Sequence, residues 1–310
     1  MSSLVERYRA CPCSVELWPA RTSEQARRLD ETLEVLRDLA PAFVSVTYGA
    51  FGSSRAESLE LVARVREVGL PVLAHLAVAG HSLEELDALL ARIGALGAAG
   101  VLALRGDPPL EADEPAQHLF QGRHALELVE LARRRTCLEV AVALHPQGHP
   151  DSVSLEEDLV HQATKLAASD FGVTQFFFEL AAYESLVAAL ARRGARRPVI
   201  PGLLVPRSLR QLERMGEMAR VRPSERLVRV LSDGDGAGAR EVILELALGA
   251  LREGAPGVHL FSMNQPGVTA WLLEQLAAHY PRGSSFTQSS CDGKSAVTTT
   301  PARGSPVLPD

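Results

Sequence analysis

SLEELDALLARIGALGAAGVLALRGDPP, residues 82–109, contains one whole unit of a repeat. An amphipathic helical stretch (82–96) leads through a glycine-containing turn into the apolar run GVLAL (100–104), which ends abruptly in Arg105, Gly106 and Asp107 and is closed by two prolines. The same alternation recurs along the chain. Apolar runs fall at SVELW (14–18), FVSVTY (43–48), VLAHLAV (72–78), LEVAVAL (138–144), GVTQFFF (172–178), VIPGLL (199–204) and GVHLFSM (257–263). Helical stretches such as TSEQARRLDETLEVLRDL (22–39) and YESLVAALARR (183–193) separate them. Strands that alternate with returning helices make a parallel sheet, and eight such units predict a closed (β/α)8 TIM barrel of class α/β. A doubly wound open sheet is the alternative, but no G-x-G-x-x-G turn follows the first strand.

The 310 residues, 46% hydrophobic and 23% charged, suffice for one large core. Net charge is −6 and the arginines are scattered, which argues against a nucleic-acid surface while leaving local anion sites open. The charged start MSSLVERYRAC is neither a signal peptide nor an anchor, and no stretch approaches the ~20 apolar residues of a membrane span. A cytoplasmic protein is expected. Cysteines at 11, 13, 137 and 291 fit neither a disulfide ladder nor a zinc pattern, and no metal site is expected.

The predicted division is a lead-in (1–13), a single barrel domain (14–282) and a tail (283–310) whose Ser, Thr, Gly and Pro content predicts disorder. The seventh unit, 205–256, is long, with an arginine-rich helix, a second helix and the turn SDGDGAG (232–238). That excess leaves room for an element covering a ligand.

In a barrel of this kind, functional groups gather where strands give way to loops on one face. Polar residues expected there are Glu16 and Trp18, Thr47, His75, Arg105 and Asp107, His145 and His149, Thr174 and Gln175, and Asn264. Glu16 stands inside an apolar run, a setting that would raise its pKa and keep it protonated near neutral pH. Arg105 and Asp107 would suit an anion and a polar heterocycle held together, or a structural ion pair at a strand end.

These blocks also carry a family resemblance. SVELWPART, AFVSVTYGAFGSSR, VLAHLAVAG, LALRGDPP, VTQFFFE and PGLL follow in the order found in bacterial methylenetetrahydrofolate reductases, from about residue 14 to 280. The resemblance implies a barrel flavoprotein that binds FAD, takes hydride from NADH or NADPH and reduces 5,10-methylenetetrahydrofolate to 5-methyltetrahydrofolate, with homo-oligomers among the bacterial relatives. It implies Glu16 and Asp107 as catalytic carboxyls. Thr47, His75, Arg105, Gly106, Asp107, His145, Asp158 and Lys165 fall on the cofactor positions. Glu16, Asp107, Gln175, Met215 and Gln265 fall on the substrate positions.

Four positions depart from the family pattern. His145 stands where tyrosine is usual, Ala20 replaces a second proline, Met215 takes the place of a stacking phenylalanine, and Gln265 lacks the charge of an arginine. Two other readings therefore stay open: a barrel oxidoreductase with weakened FAD binding or another electron donor, and a non-catalytic folate-binding relative.

Overall fold

The computed structural model describes residues 2–49, 55–106, 124–149 and 151–280. Asp107 and the predicted tail lie outside the described residues. Eight parallel strands close on themselves in sequence order, each paired with its neighbours and β8 with β1. They are β1 (Cys13–Leu17), β2 (Val44–Val46), β3 (Val72–Ala77), β4 (Gly100–Leu104), β5 (Glu139–Leu144), β6 (Phe171–Phe176), β7 (Val199–Leu203) and β8 (Val258–Phe261). The first six described helices are α1 (Ser23–Leu39), α2 (Arg55–Glu67), α3 (Leu83–Ala95), α4 (Ala125–Arg135), α5 (Leu155–Ala168) and α6 (Leu180–Arg192). The long seventh unit carries α7 (Leu209–Ala219), α8 (Glu225–Ser232) and α9 (Gly236–Arg252), and α10 (Pro266–His279) follows β8.

Local chemistry starts several helices where the pattern places them. The Thr22 hydroxyl accepts the Gln25 N–H at α1, and Ser82 with Glu85 forms a reciprocal capping box at α3. Strand alternation then divides the side chains. Val15, Val44, Val72, Val101 and Val140 face the helices in the larger core. Leu73, Leu102, Ala141 and Ile200 fill the barrel interior together with Phe43 and Phe171.

The lead-in takes part in this interior. A single 3-10 turn, Glu6–Arg9, seats Leu4 and Tyr8 in the barrel core. The Tyr8 ring covers Gly257 so closely that a Cβ there would lie 2.0 Å from it. Its hydroxyl bonds the Ser14 hydroxyl at 2.6 Å. Ser14 in turn meets His259 Nδ1 at 2.7 Å, and Ser45 meets Nε2 of the same ring at 3.2 Å.

Two predicted boundaries move. The run 172–178 ends as a strand at Phe176, because the β6–β7 register slips between Val173 and Phe176. Phe177 and Phe178 leave the sheet for the outer core, where Phe177 stacks on Tyr183 with centroids 5.7 Å apart. The helix expected over 183–193 therefore begins earlier, at Leu180. At the slipped register the Thr174 hydroxyl accepts the Gly202 N–H at 2.8 Å, replacing a ladder bond. Thr174 is thus a sheet-building residue.

Candidate active site at the barrel mouth

Glu16 and His75 project from β1 and β3 into the barrel, on the strand positions that alternate with the outward valines. Glu16 is the penultimate residue of β1, and His75 lies two residues before the end of β3. Only 16% of the Glu16 side chain and 7% of His75 meet solvent. Burial pushes the Glu16 carboxyl up to about 8, and the same cause lowers His75 to about 3. At pH 7 both are neutral. Their 3.8 Å approach is therefore an acid beside an imidazole, too long for a hydrogen bond and not an ion pair.

Two polar atoms near this acid are buried without a partner among the described residues, Thr47 Oγ1 and His75 Nε2. A buried hydroxyl or ring nitrogen in that condition costs ~1–3 kcal/mol unless a ligand completes it. Gln175 on β6 uses its Oε1 to accept the Phe176 N–H at 2.9 Å, which fixes the side chain and leaves its amide NH2 for another acceptor.

A second group of charges gathers at the ends of β4 and β5. Lys165 on α5 is brought down to about 8, mainly by burial; Asp158 opposes the shift and the Arg105 charge adds to it. His145 is lowered to about 3 by burial, with contributions from Lys165, His149 and Arg105. The His145 and His149 rings meet edge to face with centroids 4.7 Å apart. Arg105 pairs with Asp151 at 2.5 Å. Gly106 has φ of +81°, and a Cβ there would stand 2.9 Å from the Ala77 Cβ, so the turn after β4 closes only with glycine.

Asp158 has a structural task. Its Oδ2 accepts the His149 N–H at 2.9 Å and the Gln162 amide at 2.6 Å, and its Oδ1 accepts the Ser152 hydroxyl at 3.2 Å. Gln162 continues the chain of contacts, bonding both the N–H and the carbonyl of His145. The sequence reading did not single out Gln162; the i, i+4 spacing from Asp158 on one helix was the available signal.

Trp18, Met215 and Gln265 surround the third part of the mouth. A cleft of about 630 Å3 is lined by Trp18 and Arg21 from the β1 side, Arg207, Arg210, Arg214, Met215 and Met218 on and just before α7, and Met263 after β8. Gln265 lines a smaller adjoining cleft of about 150 Å3, also bounded by Trp18 and Arg207. The extra length of the seventh unit contributes one wall of this cleft through α7. Asn264 clamps the strand ends: it receives the Trp18 N–H at 3.3 Å and donates to the Trp18 carbonyl at 2.8 Å. The Ser262 hydroxyl donates to the Glu16 carbonyl at 2.6 Å. Met263 and Asn264 both adopt left-handed backbone, φ 52° and 48°, a conformation that L side chains hold only under local constraint.

The fold and this ring of polar groups define a (β/α)8-barrel protein with its candidate site at the carboxyl ends of the strands. Among the described residues, no helix is long and apolar enough to cross a membrane. The chain belongs to the methylenetetrahydrofolate reductase family, whose model matches residues 4–277. It is 28% identical over 271 residues to the 5,10-methylenetetrahydrofolate reductase of Pectobacterium carotovorum, covering 85% of this chain and 89% of that protein. The Escherichia coli protein of the same name is 28% identical over 272 residues, covering 85% and 90%. A methylenetetrahydrofolate reductase (NADH) of Arabidopsis thaliana is 28% identical over 270 residues, 81% of this chain and 46% of its own longer length. Among solved structures, an uncharacterised Clostridium thermocellum protein that binds two copies of 5-methyl-5,6,7,8-tetrahydrofolic acid superposes with TM-score 0.62 at 12% identity, covering 89% of this chain and 98% of that one. At that identity the likeness shows the shared fold.

Proposed function

We propose that this chain reduces 5,10-methylenetetrahydrofolate to 5-methyltetrahydrofolate, with FAD as its bound cofactor and NAD(P)H as electron donor. The feature that carries the reading is Glu16, a carboxyl buried inside the barrel mouth 3.8 Å from His75, where burial pushes its pKa up to about 8. Family membership and the names of the relatives support the substrate.

The residues at the mouth fit a flavin. Thr47 Oγ1 and His75 Nε2 offer buried, uncommitted polar atoms for the ring system. Lys165 and Arg105, the latter paired with Asp151, supply positive charge for phosphates, with His145, lowered by burial, lending ring surface instead of a further charge. Asp158 and Gln162 hold the loop that carries His145 and His149. When bound, FAD supplies the two-electron carrier between the pyridine nucleotide and the folate.

The chain's own contribution begins with the proton. Opening the five-membered ring of the substrate breaks a bond from the methylene carbon to one bridging nitrogen and leaves an iminium cation at the other. Glu16 gives its carboxylic proton to the departing nitrogen and becomes a carboxylate beside the cation. Hydride arriving at the iminium carbon completes the methyl group, and a solvent proton restores Glu16. Gln175 presents its amide to the edge of the pterin, and Met215 packs on its aromatic extension. Asp107, outside the described residues, keeps by the family pattern the role of second carboxylate. The same pattern favours a homo-oligomer.

The visible spectrum of the purified protein, followed anaerobically through NADH or NADPH and then 5,10-methylenetetrahydrofolate, tests this. Flavin absorption that bleaches with the nucleotide and returns with the folate is the expected result. A colourless protein that FAD does not reconstitute overturns the flavin assignment. A flavin that bleaches and stays bleached overturns the folate assignment.

A further inference from the structure

Three strand ends meet at the segment 78–85, which runs from the end of β3 into α3. On one side it extends the pairing with β4: the Val78 N–H donates to the Leu104 carbonyl at 3.0 Å and the Ala79 N–H to the Arg105 carbonyl at 2.9 Å. Gly106 is seated against the same stretch, so close that a Cβ on it would lie 2.9 Å from the Ala77 Cβ and 3.0 Å from that of Ala79. On the other side the segment reaches the end of β2. There the His81 Nε2 meets the Tyr48 hydroxyl at 3.0 Å, with ring centroids 5.8 Å apart.

His81 is only 2% exposed, and an imidazole taken out of water is costly unless its nitrogens are met. Its backbone is fixed first. The His81 N–H donates to the Val78 carbonyl at 3.2 Å, closing a turn in which Gly80 takes a φ of +72°. The next residue, Ser82, forms the capping box with Glu85, which holds the first turn of α3 and leaves Glu85 Oε2 4.0 Å from His81 Nδ1. The ring is thus backed by a helix start and offers its other nitrogen to Tyr48. Tyr48 directly follows Thr47, whose N–H is tied to the Leu17 carbonyl at 3.0 Å and whose Oγ1 is buried without a partner among the described residues.

We propose that His81 is a positioning residue for the flavin, a bracket that acts through Tyr48 to set the end of β2 at a fixed spacing from the end of β4. The proposal rests on the flavin reading above, in which Thr47 serves the ring system and Arg105 and Gly106 stand at cofactor positions. Those two strand ends flank β3 and are not neighbours in the barrel, yet the 78–85 segment is bonded to both. The His81–Tyr48 bond joins two parts of the protein and needs no ligand atom. Without it, the β2 end has to be ordered when the cofactor binds, and that cost is subtracted from the affinity. The loss is bounded by the net worth of one hydrogen bond.

Release of FAD on dilution of the holoprotein, followed by flavin fluorescence, tests the bracket in a double-mutant cycle. Tyr48→Phe removes one hydroxyl, and His81→Phe keeps a ring while removing both nitrogens. Each should weaken FAD binding about fivefold, and the double variant should be no weaker than either, because all three lack the same contact. His81→Gln, whose amide can still bond the Tyr48 hydroxyl, should return the affinity to within about twofold of the parent. Additive losses, or a glutamine variant as weak as the phenylalanine one, overturn the bracket and leave the flavin reading standing. A lowered thermal midpoint with unchanged FAD release assigns the contact to stability alone and overturns it too. If His81→Phe does not fold, Tyr48→Phe against the parent decides: a fivefold loss supports the bracket and no loss refutes it. A parent protein that holds no FAD overturns both readings.

Discussion

Replacing Glu16 by glutamine keeps the shape of the side chain and removes its titration, so stability and activity should move in opposite directions. The folded-state value of about 8 stands above the ordinary 4.5 because burial disfavours the anion. Between those two pH values the folded chain holds a proton that the unfolded chain has released, so stability falls as pH rises through this window. At pH 7 the difference is 2.5 pH units beyond 4.5, which at ~1.4 kcal/mol per unit is about 3–4 kcal/mol. The 16% of the side chain open to water reduces the expected effect to roughly 2 kcal/mol. Glu16→Gln should therefore be about as stable as the parent near pH 4.5 and measurably more stable at pH 8. Urea unfolding of both proteins across pH 5 to 8 reads this directly. Folate reduction should fall by ~10²–10⁴ in the variant while NAD(P)H oxidation by a quinone persists. A stability difference that stays constant across the pH range would refute the burial argument, and survival of both half-reactions would remove the proton-donor assignment.

Three further outcomes follow from the same geometry. In the parent, the folate half-reaction should decline as pH rises through about 8, since the acid form of Glu16 is then lost; stopped-flow reoxidation of the reduced flavin checks this. Lys165→Met should weaken FAD binding by about tenfold, the scale of one charge-assisted phosphate contact, measured by flavin fluorescence on dilution. Gly202→Ala should destabilise the barrel by at least ~2 kcal/mol, because the new Cβ would lie 2.2 Å from the Thr174 carbonyl oxygen and 2.6 Å from the Phe261 ring; thermal unfolding by circular dichroism suffices to read it.

The alternation of apolar runs and amphipathic helices was enough to order all eight strands, because each β/α unit is local and its hydrophobic period is strong. GVLAL at 100–104 coincides with β4 to the residue, whereas the run at 172–178 overshot β6. Apolar character alone does not distinguish a phenylalanine in the sheet from Phe177 turned into the helix layer. At the site, Glu16 was legible as a carboxyl in an apolar run, and its raised pKa follows from that setting. The partnerships were not. That Asp158 serves the His149 backbone, or that Thr174 patches a slipped ladder, depends on contacts between elements distant in sequence. The arginine-rich helix was visible in the seventh unit, but only closure of the barrel sets Arg207, Arg210 and Arg214 opposite Trp18.

The seating of Tyr8 against Gly257 also bears on how the chain reaches its native state. Tyr8 and Ser14 precede Gly257 and His259, which they contact, by about 245 residues along the chain. The β1–β8 seam has the same separation. Such pairings carry a loop-closure cost that is met only once most of the chain is present, so the barrel floor and the final seam belong to the last stage of folding. Until then the inward residues of β1 have no partner strand on one side, and the apolar interior of a nearly finished barrel stays open at that gap.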